Sequence, residues 1–242
     1  MPHRLLTPLA LAAISCGAAA HAQDARAVID GYADLALAKY GDSLAAARAL
    51  DAAIDAFVAA PSAETHRAAK DAWLAARVPY QQTEAYRFGN AVVDAWEGKV
   101  NAWPLDEGMI DYVAGFGGSA ENPVGTLNVI ANATFTLSGE EVDATEITPA
   151  LLEDTLHEAD GIEANVATGY HAVEFLLWGQ DLNGTGPGAG ERPWTDYAGG
   201  EACTNGNCDR RGEYLKAATD LLISDLEWIT AQWAEGGAAR ET

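Results

Sequence analysis

His171 and Glu174 stand three residues apart in the stretch Gly169-Tyr-His-Ala-Val-Glu174. On a helix that spacing puts the imidazole and the carboxylate on one face. Side by side they offer two ligands to a ferrous, ferric or zinc ion. Thr168, a residue type that caps helix starts, precedes the stretch, and Gly179, a natural helix stop, follows it. This framing predicts a helix between them, with His171 in its first turn. The partial positive charge of a helix start disfavours imidazolium and so favours the neutral ring that metals bind. Phe175, Leu176, Leu177 and Trp178 come next, so the helix should be buried. A carboxylate buried there needs a cation, a metal or strong hydrogen-bond donors. H-x-x-E pairs also arise as plain hydrogen-bonded pairs, so a metal site requires further ligands.

Carboxylates are the candidates for those ligands. Glu84 lies three residues before Arg87, among Tyr80, Tyr86 and Phe88. The two could also form an internal ion pair. Asp106, Glu107 and Asp111 make a second acidic cluster, which would serve equally as helix capping. The expected metal set is therefore His171 and Glu174, then Glu84, Asp106 and Glu107, with Gly169, Arg87 and Asp111 in support. His157 follows Glu153 by four and reads as a surface helix pair, and His66 reads as solvated. There is no H-E-x-x-H, no G-x-S-x-G and no phosphate-binding glycine loop opening a helix. Zinc proteolysis of the H-E-x-x-H kind, serine hydrolysis and nucleotide binding therefore lack their usual motifs.

The elements that must carry these residues read as helices. Apolar residues recur at helical spacing between Asp24 and Ala59, at Val28, Tyr32, Leu35, Leu44, Ala47, Ile54 and Phe57, with a bend allowed at Gly41-Asp42-Ser43. Pro61-Ser62 punctuates the chain, and a second helix is expected from Ala63 toward Glu97, kinked at Pro79. A short helical segment should run from Trp103 to Tyr112, and another from Pro149 through His157. Residues 126–148 give no clear assignment. Residues 181–208 are rich in Gly and Pro and read as a long loop. Leu215, Ala218, Leu222, Leu226, Ile229 and Trp233 form the stripe of a last helix over 210–233, followed by a frayed tail. No strand-like alternation of any length appears, so the fold class is all-α.

The 242-residue chain carries a net charge of -22, which repels nucleic acid and anionic lipid and draws cations. The same acidity would also serve solubility alone. Residues 1–22 pair a short basic start with an apolar run and end at Ala20-His-Ala22, as a cleaved secretory signal does. The expected organisation is thus a leader over 1–22 and one helical domain over 23–242, periplasmic or secreted. A lipid anchor through Cys16 is disfavoured by Ala13 in place of Leu three residues before it. No other segment could span a membrane. Cys203 and Cys208 then sit in an oxidising compartment, where a local disulfide stapling the long loop is the default.

Four ordered blocks carry a resemblance. They are Val78-Pro-Tyr-Gln-Gln-Thr-Glu84-Ala-Tyr-Arg87-Phe, Trp103-Pro-Leu-Asp-Glu-Gly-Met-Ile-Asp-Tyr112, Gly169 through Asp181, and Arg192-Pro-Trp-Thr-Asp-Tyr197. Together they resemble the imelysin-like family, which includes the iron-regulated protein A type and whose signature is G-x-H-x-x-E. The resemblance implies a helical fold of two bundle-like halves and an exported protein tied to bacterial iron uptake. It also implies a metal site at His171 and Glu174, and envelope components of iron uptake as partners. Family members of this type usually continue well beyond the point where this chain stops, so the site here would be incomplete if their second helical half completes the pocket. The leading expectation is an exported iron-binding protein, with zinc or another divalent ion as the competing cofactor. The alternatives are a metal-dependent peptidase of the imelysin type and a metal-free helical module for a partner protein or glycan.

Overall fold

The computed structural model describes residues 25–115 and 122–242. The expected leader, with Cys16 and the cleavage point at Ala22, lies outside the described residues. The helices are α1 (Ala25–Ala59), α2 (Ala63–Gln81), α3 (Ala91–Asn101), α4 (Glu107–Ile110), α5 (Gly169–Trp178), α6 (Cys208–Trp233) and α7 (Ala238–Glu241). They form a bundle in which α1 packs on α2 and α6, and α5 packs on α2, α3 and α6. The all-α reading is correct. No helix among the described residues is long and apolar enough to cross a membrane.

Alanine-rich faces set how closely the helices approach. Helix α1 buries Ala33, Ala36, Tyr40, Leu44, Ala47, Leu50, Ile54 and Phe57 at steps of three and four. Its start departs from the expected stripe, because Val28, Tyr32 and Leu35 stay exposed while the smaller Ala33 and Ala36 face inward. Gly41 does not interrupt it. Helix α2 opens on a capping box, with Ser62 Oγ accepting from Thr65 N at 3.1 Å and Ser62 N donating to Thr65 Oγ1 at 3.1 Å. The stripe of α6 is buried as the spacing predicts.

Several boundaries differ from the sequence expectation. The helix through Pro79 ends two residues later, and α3 starts afresh where Asn90 Oδ1 accepts from Val92 N and Val93 N. The region left unassigned holds an antiparallel hairpin of β1 (Thr134–Leu137) and β2 (Glu140–Asp143). Strands of four residues are too short to show alternation. The tail is docked and not frayed, because Asn90 Nδ2 donates to Ala239 O at 2.8 Å and Arg240 pairs with Asp34 at 2.6 Å. His66 is buried, not solvated. Its Nε2 lies 2.8 Å from Leu177 O and its ring stacks on Phe57.

Two contacts fix α5. Gly169, at φ +80, presses on α3 so closely that a Cβ there would lie 2.6 Å from Val100 O. Thr168 does not cap the helix with its side chain. It instead donates Oγ1–H to Lys99 O at 2.9 Å. The second contact is a buried charge knot. Asp111 Oδ2 accepts from Arg192 Nη1 at 2.6 Å and from Arg211 Nε at 2.7 Å. Arg192 also reaches Asp196 at 3.3 Å, and Arg211 donates to Asp196 O and Gly206 O. Tyr112, Thr204 and Asn205 donate to the Asp196 carboxylate. The knot ties the end of α4, the long loop and the start of α6 together, and the Cys203–Cys208 disulfide staples the same loop.

Three outcomes follow for folding. Gly169→Ala should destabilise the protein by about 2–4 kcal/mol in urea unfolding, through backbone strain and overpacking against α3. Asp111→Ala should cost about 3–5 kcal/mol in the same measurement, because two buried guanidinium groups lose their shared anion. Burial, aided by nearby Lys70, lowers the His66 pKa from 6.5 to about 4. The folded state holds this ring neutral while the unfolded chain protonates it near 6.5, so its contribution to stability falls as pH drops from about 6.5 to about 4. Wild type should lose stability relative to His66→Gln across that window, and a constant difference would refute this account.

Candidate metal centre

Gly169 and Gly179 bound α5 where the sequence places its ends, so His171 and Glu174 come to one face. His171 Nδ1 lies 3.0 Å from Glu174 Oε2. The natural assignment is Nδ1–H donating to the carboxylate, which leaves Nε2 as the nitrogen Glu174 does not engage. The Trp103 ring packs 4.9 Å from the imidazole, centroid to centroid. His171 is mostly covered, whereas the Glu174 side chain is 41% exposed.

Both residues line a cleft of about 500 Å³. Trp73 and Leu74 of α2 form one wall, Trp103 and Leu105 a second, and Gly188, Ala189 and Gly190 of the long loop a third. The loop is held there by Arg192 N donating to Trp178 O at 2.8 Å. Gly190 is required by this closeness, since a Cβ on it would sit 2.3 Å from Gly179 O. The Arg192 side chain carries the charge knot to the base of α5, with its guanidinium 5.3 Å from the Phe175 ring. Every one of these walls comes from within this chain.

The cleft collects some of the expected acids and not others. Glu107 lines it beside His171 and Glu174, and so does Asp181, which closes the third resembling block. Asp181 follows the Gly179 helix stop by two residues, and that position past a buried helix end was the available signal. Burial raises the Glu107 pKa, Arg192 opposes this, and Asp181 and Glu174 push it further up. That mutual repulsion records three carboxylates facing one space. Asp106 turns away, with its backbone N donating to Ala164 O and its carboxylate accepting from Asn122. Asp111 is committed to the knot. Glu84 and Arg87 are not among the cleft residues, because the helix that was to carry them ends at Gln81. Arg87 instead pairs with Glu97 at 3.0 Å and with Glu84 at 3.7 Å. His157 is not paired with Glu153, which bonds Lys99. Burial lowers the His157 pKa.

The donor set, one imidazole nitrogen and several carboxylate oxygens, suits iron, zinc or manganese in type. Its spacing is open. Among the described residues no three of His, Cys, Asp and Glu stand together tightly enough to hold one ion. The residues therefore fit a metal in donor chemistry, and among the described residues they form no closed shell around one point.

Comparison with known proteins agrees with this architecture. A crystal structure of a protein assigned as an iron-regulated protein A precursor, from Parabacteroides distasonis, superposes with a TM-score of 0.54. It is 25% identical and is matched over 86% of this chain and 44% of its own. Iron-regulated protein A of Synechococcus elongatus is 34% identical over 79 residues, which are 32% of this chain and 22% of that protein. The matches span less than half the length of either relative. The peptidase M75 family model, described as imelysin, matches residues 36–242. This match covers most of the sequence, and the chain belongs to the imelysin family.

Proposed function

We propose that this chain is an exported metal-binding protein that serves iron handling, with His171 as the anchoring ligand of an open site. The observation that carries this reading is the His171–Glu174 pair inside a cleft that also gathers Glu107 and Asp181. A carboxylate on one imidazole nitrogen fixes the tautomer and raises the basicity of the other, which is the usual support behind a metal-bound histidine. Glu174 thus acts as the positioning partner of His171 and, through its exposed oxygen, as a second ligand. Glu107 and Asp181 would complete the protein's share of the shell. Their repulsion in the metal-free cleft is relieved by a cation, and the net charge of -22 raises the local concentration of cations. The bound ion is cargo in this reading. The relatives' names link them to iron, and the leader-like first residues suit delivery to the periplasm, where envelope components of iron uptake would be the partners.

The imelysin family's peptidase name supports a second reading. Hydrolysis needs a base beside the metal. Glu107, raised in pKa by burial, would serve.

The test is calorimetric titration of ferrous, ferric and zinc ions into the metal-free chain. One saturable site is expected. His171→Ala should abolish it, and Glu174→Gln should weaken it about 10–100-fold, with helical circular dichroism unchanged. Affinity unchanged in both variants would refute the site. Casein cleavage that is lost with chelator and with Glu107→Gln would favour the peptidase reading over cargo binding.

A further inference from the structure

A second groove, of about 420 Å³, runs between α3 and α6 and shares no lining residue with the metal cleft. Trp96 and Lys99 line it from α3, Asp225 and Trp228 from α6, and Glu153 from the helical turn Leu151–Leu156. Trp96 Nε1 donates to the backbone oxygen of Asp225 at 2.8 Å, which locks the two helices in register. The three-residue spacing of Asp225 and Trp228 puts both side chains on the same face of α6.

The Asp225 carboxylate is the unexplained group. It makes no hydrogen bond or ion pair with any described residue. Lys99, the nearest cation, is already engaged, with Nζ 2.5 Å from Glu153 Oε1. Burial raises the Asp225 pKa to about 6, so its charge at neutral pH is held at a cost. Trp228 is 47% exposed beside it, although its own helix is otherwise well packed.

The chemistry of the lining selects the ligand class. Two carboxylates against one lysine disfavour an anion. A metal ion finds neither imidazole nor thiolate here, and no cluster of three ligands. An organic cation matches the carboxylates and the indoles of the lining, with Lys99 already held by Glu153. Its charge answers Asp225, and its carbon groups lie on indole faces that attract cations. The volume suits a small molecule. We propose that this groove binds a small alkylammonium ion, with its head against Asp225 and its methyl or methylene groups against Trp96 and Trp228.

Choline and n-butylammonium are the probes, titrated into the full chain by calorimetry, with neohexyl alcohol as the uncharged shape analogue of choline. Saturable binding of at least one ammonium ion and none of the alcohol is expected at neutral pH. Asp225→Asn should weaken it tenfold or more, and Trp228→Ala about fivefold, with circular dichroism unchanged. Binding by wild type should fall as pH drops through about 6, where Asp225 takes up a proton. The other charged groups facing it are Lys99 on α3 and Glu153, and the Asp225→Asn control keeps both, so a pH dependence that disappears in it belongs to Asp225. The proposal fails if neither ammonium ion binds, if the alcohol binds as well as choline, or if Asp225→Asn and Trp228→Ala leave affinity unchanged.

Discussion

Two arginines closing on one buried aspartate are the constraint on which the rest of this structure depends. Asp111, Arg192, Arg211 and Asp196 are each almost entirely excluded from solvent, and their formal charges cancel. Desolvating four charges is expensive, and such clusters add little net stability over an apolar packing of equal volume. Their value lies in geometry, because each group is costly to leave unpaired. Asp111 brings the end of α4, Arg192 the far side of the long loop, and Arg211 the start of α6. Any other path for that loop would strand a buried charge. A loop rich in Gly and Pro, with only two short 3-10 turns of its own, is thereby given one conformation, and that conformation walls the cleft of His171 and Glu174.

The same economy explains α5. Its buried residues are apolar on nearly every side, so it sits inside the bundle, and His171, Glu174, Phe175 and Trp178 are the residues of it that line the cleft. A helix so placed holds His171 and Glu174 rigidly, with Gly169 wedged on α3 and Tyr197 OH donating to Leu176 O at 2.6 Å. Glu107 and Asp181 stand on weaker supports, a one-turn helix and an exposed loop. The site therefore has one firm side and one adaptable side. On the proposed reading, that arrangement would admit ions that keep part of their hydration or carry a ligand.

Much of this was legible in the sequence where the signal is local. Thr168 and Gly179 enclosed α5 to the residue, the stripe from Leu215 to Trp233 announced α6, and Cys203–Cys208 fell in a loop short enough to close. Misreadings arose where tertiary packing overrides pattern. Ala33 and Ala36 displaced the larger Val28 and Leu35 from the core, because close helix approach favours small side chains. His66 looks solvated among alanines, and only the fold brings Leu177 O to its ring. The hairpin had a visible mark in Ser138-Gly139, both at positive φ, but its strands are too short to alternate. The charge knot had none, since Asp111 is separated from Arg192 by 81 residues and from Arg211 by 100.

Selectivity is the point at which electrostatics and coordination chemistry part. A charge of -22 concentrates cations by valence alone, so it cannot tell apart ions of equal charge. Discrimination has to come from the donors, and one imidazole with carboxylates binds zinc and copper more tightly than ferrous iron. A rigid cage could reverse that order through geometry, but an open site with one firm side has little geometric leverage. Ferric iron is different, because a higher charge gains more from three carboxylates that already repel one another. If this cleft handles iron, it prefers the ferric ion by charge or receives ferrous iron through supply. The crowding of Glu107, Glu174 and Asp181 favours the first.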